Sequence, residues 1–145
     1  MVIREARYED LFEILRLYEQ LNVNPVPQES AELDALWKRI LADENYYLLV
    51  AEVDGAIVSS STVIVVPNLT RTQRSYALVE NVVTHAEHRG RGYATAVLAR
   101  AREIAVEANC YKMMLMTGSK HEETLSFYRR AGYNSQDKTA FIQWL

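Results

Sequence analysis

Glycine is scarce in this chain, with five among 145 residues, about half the usual share of ~7%. Proline occurs three times and cysteine once, at Cys110. A low-complexity chain is thereby excluded. The lone cysteine leaves no internal disulfide framework and suits a reducing, cytoplasmic setting. No run reaches the ~18 apolar residues of a membrane span. The opening MVIREARYEDLFEIL carries charge too early for a secretion signal, so no membrane partner is expected. Excess charge is lacking as well: 16 Lys and Arg face 19 Asp and Glu, a net −3, which provides no field to draw in nucleic acid. What remains, 49% apolar and 24% charged residues, is ordinary globular composition. The length is that of one domain, residues 1–145, able to fold without staples.

Two of the five glycines, Gly90 and Gly92, stand almost together. A chain that avoids glycine elsewhere and pairs it here needs backbone without side chains at that place. Basic residues accompany the pair: Arg89 and Arg91 at once, Arg100 and Arg102 further on. The periodicity around it predicts an α+β domain. A short strand over 2–6 leads to a helix over 8–21, then a loop over 22–28 holding Pro25 and Pro27. Ser30 is a candidate N-cap for a second helix, with Leu33, Leu36, Trp37, Ile40 and Leu41 on one face. Strands over 46–53 and 56–66 flank an Asp54-Gly55 hairpin turn, and a third β run covers 75–84. After the glycine pair come a long helix, a buried strand over 111–117, a short helix closed by Gly132, and a final strand over 139–145.

A strand, a glycine turn and a helix start form an anion site, because successive amides donate toward the dipole end of the helix. A phosphate or pyrophosphate is the ligand such a turn takes. A Walker loop needs Gly-Lys-Ser/Thr, which is missing. A dinucleotide fingerprint needs a third glycine where Thr95 stands. The pattern Arg/Gln-x-x-Gly-x-Gly/Ala is met by Arg89, Gly92 and Ala94. Taken alone, the stretch is either that cradle or a basic surface loop.

Three segments carry a resemblance: Ile3-Arg4-Glu5-Ala6 with Glu9-Asp10, Val79 to Val83 with Arg89 to Ala94, and Phe127-Tyr128-Arg129-Arg130-Ala131-Gly132-Tyr133. In this order they resemble the GNAT superfamily of acetyl-CoA-dependent N-acetyltransferases. The resemblance implies a mixed, mostly antiparallel central sheet flanked by about four helices and splayed open at the cofactor. It implies that the backbone of Arg89, Gly90, Arg91, Gly92, Tyr93, Ala94 and Thr95 holds the coenzyme pyrophosphate, and that Val82, Val83 and Thr84 pair with the pantetheine arm. An amide near Val82 would polarise the thioester carbonyl. Tyr128 matches the tyrosine that protonates the departing thiolate. His121 stands where the family often has a coenzyme-contacting asparagine.

Transfer from a thioester to an amine needs a stabilised oxyanion, a neutral amine and a proton for sulfur. A tyrosine with a pKa near 10 is adequate as that acid. Glu80 is the best-placed carboxylate to take the amine proton or bind the acceptor, sharing a face with Val82 by the two-residue strand period. The other reading of Glu80 is a solvent-facing strand glutamate. His85, His88 and His121 complete no recognised metal spacing, so no metal is expected. Met113, Met114 and Met116 read as core, Cys110 as a buried structural thiol, and Arg71 and Arg74 as solvated loop residues. The expected partner is a small-molecule primary amine. Within the superfamily, the stretches Val79–Val83 and Asn109–Lys112 resemble glucosamine-6-phosphate N-acetyltransferase. That enzyme carries Glu-Asp where this chain has Glu80-Asn81, and an acid where this chain has Met116 or Thr117. A non-catalytic acetyl-CoA-binding module is the other class. The apolar end, with Phe141, Ile142, Trp144 and Leu145, serves as either core or a homodimer interface.

Overall fold

In the computed structural model, which describes residues 1–22 and 24–145, five strands form one sheet in the order β1-β2-β3-β4-β5. They are β1 (Val2–Glu5), β2 (Tyr46–Val53), β3 (Ala56–Val66), β4 (Tyr76–Thr84) and β5 (Met113–Leu115). The first three junctions are antiparallel and β4–β5 is parallel, the mixed α+β sheet expected. Four helices flank it: α1 (Leu11–Tyr18), α2 (Ala31–Ala42), α4 (Tyr93–Glu107) and α5 (Glu122–Arg130). Between β3 and β4 lies one further turn, α3 (Thr70–Gln73). The loop expected over 22–28 includes Val23, which lies outside the described residues.

Local chemistry sets the ends of these elements. The Ser30 hydroxyl accepts from the Leu33 amide at 3.1 Å and opens α2. Asp54 and Gly55 both have positive φ, 52° and 82°, the geometry of a two-residue turn that matches strand twist. Gly132, at φ 95°, closes α5: its amide bonds Arg129 O at 3.0 Å and the Tyr133 amide bonds Tyr128 O at 3.1 Å, a Schellman motif.

The sheet has two covered faces. On one, Leu49, Val63, Ala77 and Val79 pack with Leu98, Ala101, Ile104 and Ala105 of α4, with α5 alongside through Phe127 and Tyr128. On the other, Leu48, Val50, Ile57 and Val83 pack with Ile14, Leu17 and Trp37 from α1 and α2. Trp37 also anchors α2 by donating its indole N–H to Tyr8 O at 2.9 Å.

Several expectations change. The strand over 111–117 shortens to three residues, and Met114 and Met116 are 37% and 56% exposed, so they are not core. Leu36 and Leu41 of α2 are exposed as well, leaving Trp37 as its buried residue. Arg74 is not simply solvated: its guanidinium donates to Asn109 O and Cys110 O at 3.3 and 3.0 Å. The final strand over 139–145 does not form. A strand is held by ladder bonds to a neighbour, and among the described residues no strand pairs with this segment.

A buried charge cluster ties β1 to the start of α1. Arg4 forks onto Asp10 at 2.6 and 3.0 Å and reaches Glu52 at 2.8 Å. Asp10 also accepts from the Arg7 amide at 2.6 Å. Burial alone would raise the Asp10 carboxyl, but the bonds from Arg4 and Arg7 outweigh it and hold the pKa below 3.8. A depressed carboxylate contributes stability above its unfolded pKa and loses it as the pH falls through the folded one. Asp10→Asn should therefore lower stability by about 2 kcal/mol at pH 7. In urea titrations the difference from wild type should shrink below about pH 4. Equal stabilities at pH 7 would show that the cluster contributes nothing.

Candidate functional site

The turn from β4 into α4 is built for backbone exposure. His85 opens a short turn over Ala86–His88 by accepting from the Glu87 amide at 3.3 Å. Arg89 folds back to donate to Thr84 O at 3.2 Å. Gly90 and Gly92 sit at φ 73° and 82°, where a Cβ is strained. A Cβ built on either meets nothing within 4 Å. The glycines are thus required by conformation, and the space in front of them is open. Gly92 is the N-cap of α4, yet no side chain caps this helix and no acid lies in its first turn. Orphan amides at the positive end of a 15-residue helix, with Arg89 and Arg91 beside them, favour an anion. Arg100 does not belong to this patch, because it pairs with Glu103 and Glu107 at 2.8 and 3.3 Å. Arg102 stands nine residues along the helix, about 14 Å away at 1.5 Å per residue.

β4 changes partners just before this turn. It pairs with β5 only through Ala77–Met113, Leu78–Met114 and Val79–Leu115. Past Val79, the edge of β4 that faces β5 has no strand neighbour among the described residues, leaving Val82, Val83 and Thr84 beside an opening. Against β3, Ser60 aligns with Val83 and Thr62 with Glu80, so β4 takes three steps where β3 takes two. Asn81, at φ 51°, absorbs the extra residue as a bulge. The bulge corrects the reading of Glu80. Val82 packs on the α4-facing cluster of Ala77 and Val79, whereas Glu80 follows Val79 and points to the opposite face by strand alternation. The two do not share a face. Glu80 is exposed, on the side that α1 and α2 cover.

Tyr128 reaches the same cluster as Val82 from α5. Its ring lies 5.0 Å from Phe127 and 6.2 Å edge-on from Tyr133. Burial pushes the Tyr128 hydroxyl up, so it keeps its proton throughout the neutral range. Tyr133 is pushed up to about 12 by burial and by Tyr128. His121 is exposed at the N-cap of α5, apart from the glycine turn in sequence. Cys110 is half-buried, and burial raises its thiol against a lowering effect of Arg74. Among the described residues no three His, Cys, Asp or Glu side chains gather as metal ligands would.

The sequence reading missed one group. Ser59-Ser60-Ser61-Thr62 runs through the middle of β3 with every residue fully buried. Ser59 is satisfied by Val83 O and Thr84 Oγ1, both at 2.8 Å. Ser60 and Thr62 point with Leu48 and Val50 toward α1 by their register, and among the described residues their hydroxyls have no hydrogen-bond partner, nor has that of Tyr18. Burial pushes Tyr18 up, opposed by the neighbouring Ser60, Thr62 and Asn81 side chains. A cavity of about 110 Å³ between α1, α2 and the sheet touches Tyr18 and Asn81 and is otherwise walled by apolar residues such as Leu11, Ile14 and Trp37. A second, of about 530 Å³, shares Leu11 and Leu33 with it and is rimmed by Glu9, Glu29 and Asp34. Four hydroxyls in a row inside an otherwise apolar central strand were the available signal.

Known proteins match this arrangement. A solved structure assigned as an acetyltransferase, from Agrobacterium tumefaciens, superposes with a TM-score of 0.92 at 39% identity, covering 100% of both chains. An acetyltransferase of Sodalis glossinidius is 29% identical over 142 residues, 98% of this chain and 93% of its own. A glucosamine 6-phosphate N-acetyltransferase of Trypanosoma brucei is 31% identical over 84 residues, 58% of this chain and 55% of its own. The profile of the acetyltransferase (GNAT) family matches residues 8–133, spanning the β4 bulge, the glycine turn and Tyr128, and the chain belongs to that family.

Proposed function

We propose that the protein transfers the acetyl group of acetyl-CoA directly to a primary amine of a small molecule. The observation that supports this most is the continuous backbone run from the unpaired edge of β4 into the uncapped start of α4. This combination fits a long ligand with an amide-bearing arm and a diphosphate. The amides from Arg89 to Thr95 hold the pyrophosphate, helped by the Arg91 charge. Val82, Val83 and Thr84 present main-chain groups to the pantetheine arm as a strand would. The amide at the Asn81 bulge or at Val82 donates to the thioester oxygen as negative charge develops there. As the C–N bond forms and the C–S bond breaks, the amine loses a proton toward Glu80 or water. Tyr128 donates its proton to the departing thiolate.

The acceptor enters from the opposite face, where Glu80, Asn81 and the Tyr18, Ser60 and Thr62 hydroxyls lie. The walls there are apolar and the neighbouring rim is acidic. Such surroundings suit a cationic or neutral amine and repel a phosphorylated one. This weighs against glucosamine 6-phosphate despite the resemblance.

The test is a panel of polyamines, amino acids, aminoglycosides, peptide amines and glucosamine 6-phosphate with acetyl-CoA, followed by thiol release. At least one non-phosphorylated amine should raise release at least tenfold over hydrolysis. Release driven only by the sugar phosphate would overturn the acceptor assignment. Tight coenzyme binding with no productive amine would make the chain a binding module.

A further inference from the structure

The cavity of about 110 Å³ between α1, α2 and the sheet bears directly on the choice of acceptor. Asn81, the bulged residue of β4, forms part of its wall. The amides proposed above to hold the thioester oxygen are those of Asn81 and Val82, so whatever fills the cavity stands next to the bond to be made. The polar corner, Tyr18 beside Asn81, lies at this β4 end. Away from it the walls are apolar, with Leu33, Leu36, Trp37 and Ile40 from α2. The indole N–H of Trp37 is already donated to Tyr8 O at 2.9 Å. Leu36 lines the cavity and is 43% exposed, which puts it where the cavity meets solvent.

These walls exclude several kinds of amine. Among the described residues no Asp, Glu, Lys, Arg or His lines the cavity. A polyamine would bury its second charge without a counter-ion, and an amino sugar would bury hydroxyls without partners; both are costly. The acids of the adjoining cavity do not change this. Asp34 is already held by Lys38 at 2.7 Å and by the Tyr8 hydroxyl at 2.6 Å. Glu9 and Glu29 are exposed, where pairing with a cation gains little. Size points the same way. A cavity of roughly 150 Å³ holds a benzene ring, so about 110 Å³ with an open rim takes one ring or a short branched alkyl group. Apolar walls also disfavour the ammonium form of an amine drawn against them, which helps the neutral form that attacks the thioester.

We infer, building on the transfer reaction proposed above, that the acceptor is a primary monoamine carried on a compact apolar body, an aralkyl or branched alkyl amine. The body occupies this cavity, the amine lies at the Tyr18–Asn81 end, and Leu36 and Trp37 set the size that is accepted. Transfer leaves the apolar body joined to a neutral amide and releases the coenzyme thiol.

With acetyl-CoA, 2-phenylethylamine and isoamylamine should release thiol with a kcat/KM at least about tenfold above that of ethylamine or putrescine, since even one methylene in an apolar pocket is worth about that factor. Leu36→Trp fills the rim. It should lower the value for 2-phenylethylamine at least about tenfold and leave ethylamine turnover and coenzyme A binding within about twofold. Binding supplies a readout that needs neither turnover nor a substitution in the cavity. Trp37 and Trp144 are the two tryptophans of the chain, so in Trp144→Phe the fluorescence reports Trp37 alone. 2-Phenylethylamine should change it saturably, and ethylamine should not. Saturable binding without thiol release from any amine would refute the transfer reaction and uphold the cavity's choice of ligand. Rates with ethylamine or putrescine that equal those of the apolar amines, a folded Leu36→Trp variant that discriminates like wild type, or no fluorescence response to 2-phenylethylamine would each overturn the inference.

Discussion

Tyr128→Phe should lower kcat by about 100-fold and leave KM for acetyl-CoA within about twofold. The substitution removes one oxygen from a ring held by Phe127, Tyr133 and the α4-facing cluster, so packing survives and the proposed proton source is lost. A positioned general acid is worth ~10²–10⁴ in rate. The lower end applies here because a thiolate, with a conjugate acid pKa near 8.5, leaves easily without full protonation. Tyr133 is the internal control. Its hydroxyl is buried with no hydrogen-bond partner among the described residues and is pushed up to about 12, which makes it the poorer acid. Tyr133→Phe should keep kcat within about threefold. Steady-state thiol release at saturating amine measures both variants. Full turnover in Tyr128→Phe would remove that residue from the chemistry, and a loss confined to Tyr133→Phe would transfer the acid role to it.

Gly90→Val/Gly92→Val should weaken coenzyme A binding at least 100-fold, by titration calorimetry, while the sheet and α4 remain folded. Both positions are left-handed, a conformation that costs an ordinary residue ~1–2 kcal/mol. A β-branched residue at each shifts the turn out of the geometry that aims its amides outward. Hydrogen bonds to charged groups contribute ~1.5–3 kcal/mol apiece, so misaiming one or two of them accounts for the factor of 100, or ~2.7 kcal/mol. Folding survives because a Cβ at either glycine has nothing within 4 Å to displace. The same open space is where the proposed diphosphate would sit. Unchanged affinity in a folded double variant would show that the pyrophosphate is held elsewhere, and the glycine pair would be a loop feature only.

Much of the fold was readable from short stretches. The Asp54-Gly55 turn, the Ser30 cap, the Gly132 stop and the amphipathic face of α4 depend on neighbours within a few residues, and each formed as read. The glycine turn belongs with them, because positive φ at a helix start is a local requirement that only glycine meets without strain. Glu80 illustrates the opposite case. Counting by twos along β4 put it with Val82, and one bulged residue, Asn81, moved it to the other face. A bulge is defined by the register against β3, which is not written in β4 itself. The cluster of Tyr18, Ser60, Thr62 and Asn81 escaped notice for a related reason, since the hydroxyl run of β3 was its one local trace and α1 and β4 contribute the rest.

The sequence alone therefore determined most of the elements, the ends set at Ser30, Asp54-Gly55 and Gly132, and the left-handed glycine turn, all of which rest on backbone preferences over three to five residues. Tertiary structure decided which strands pair and where pairing stops. It left the β5-facing edge of β4 without a strand neighbour past Val79 among the described residues, set the Glu80 side chain on the face that α1 and α2 cover, and left 139–145 outside any described strand. Strand pairing is satisfied by hydrogen bonds to distant residues or to another chain. Composition suited to a strand therefore does not make one where no neighbouring strand completes the ladder.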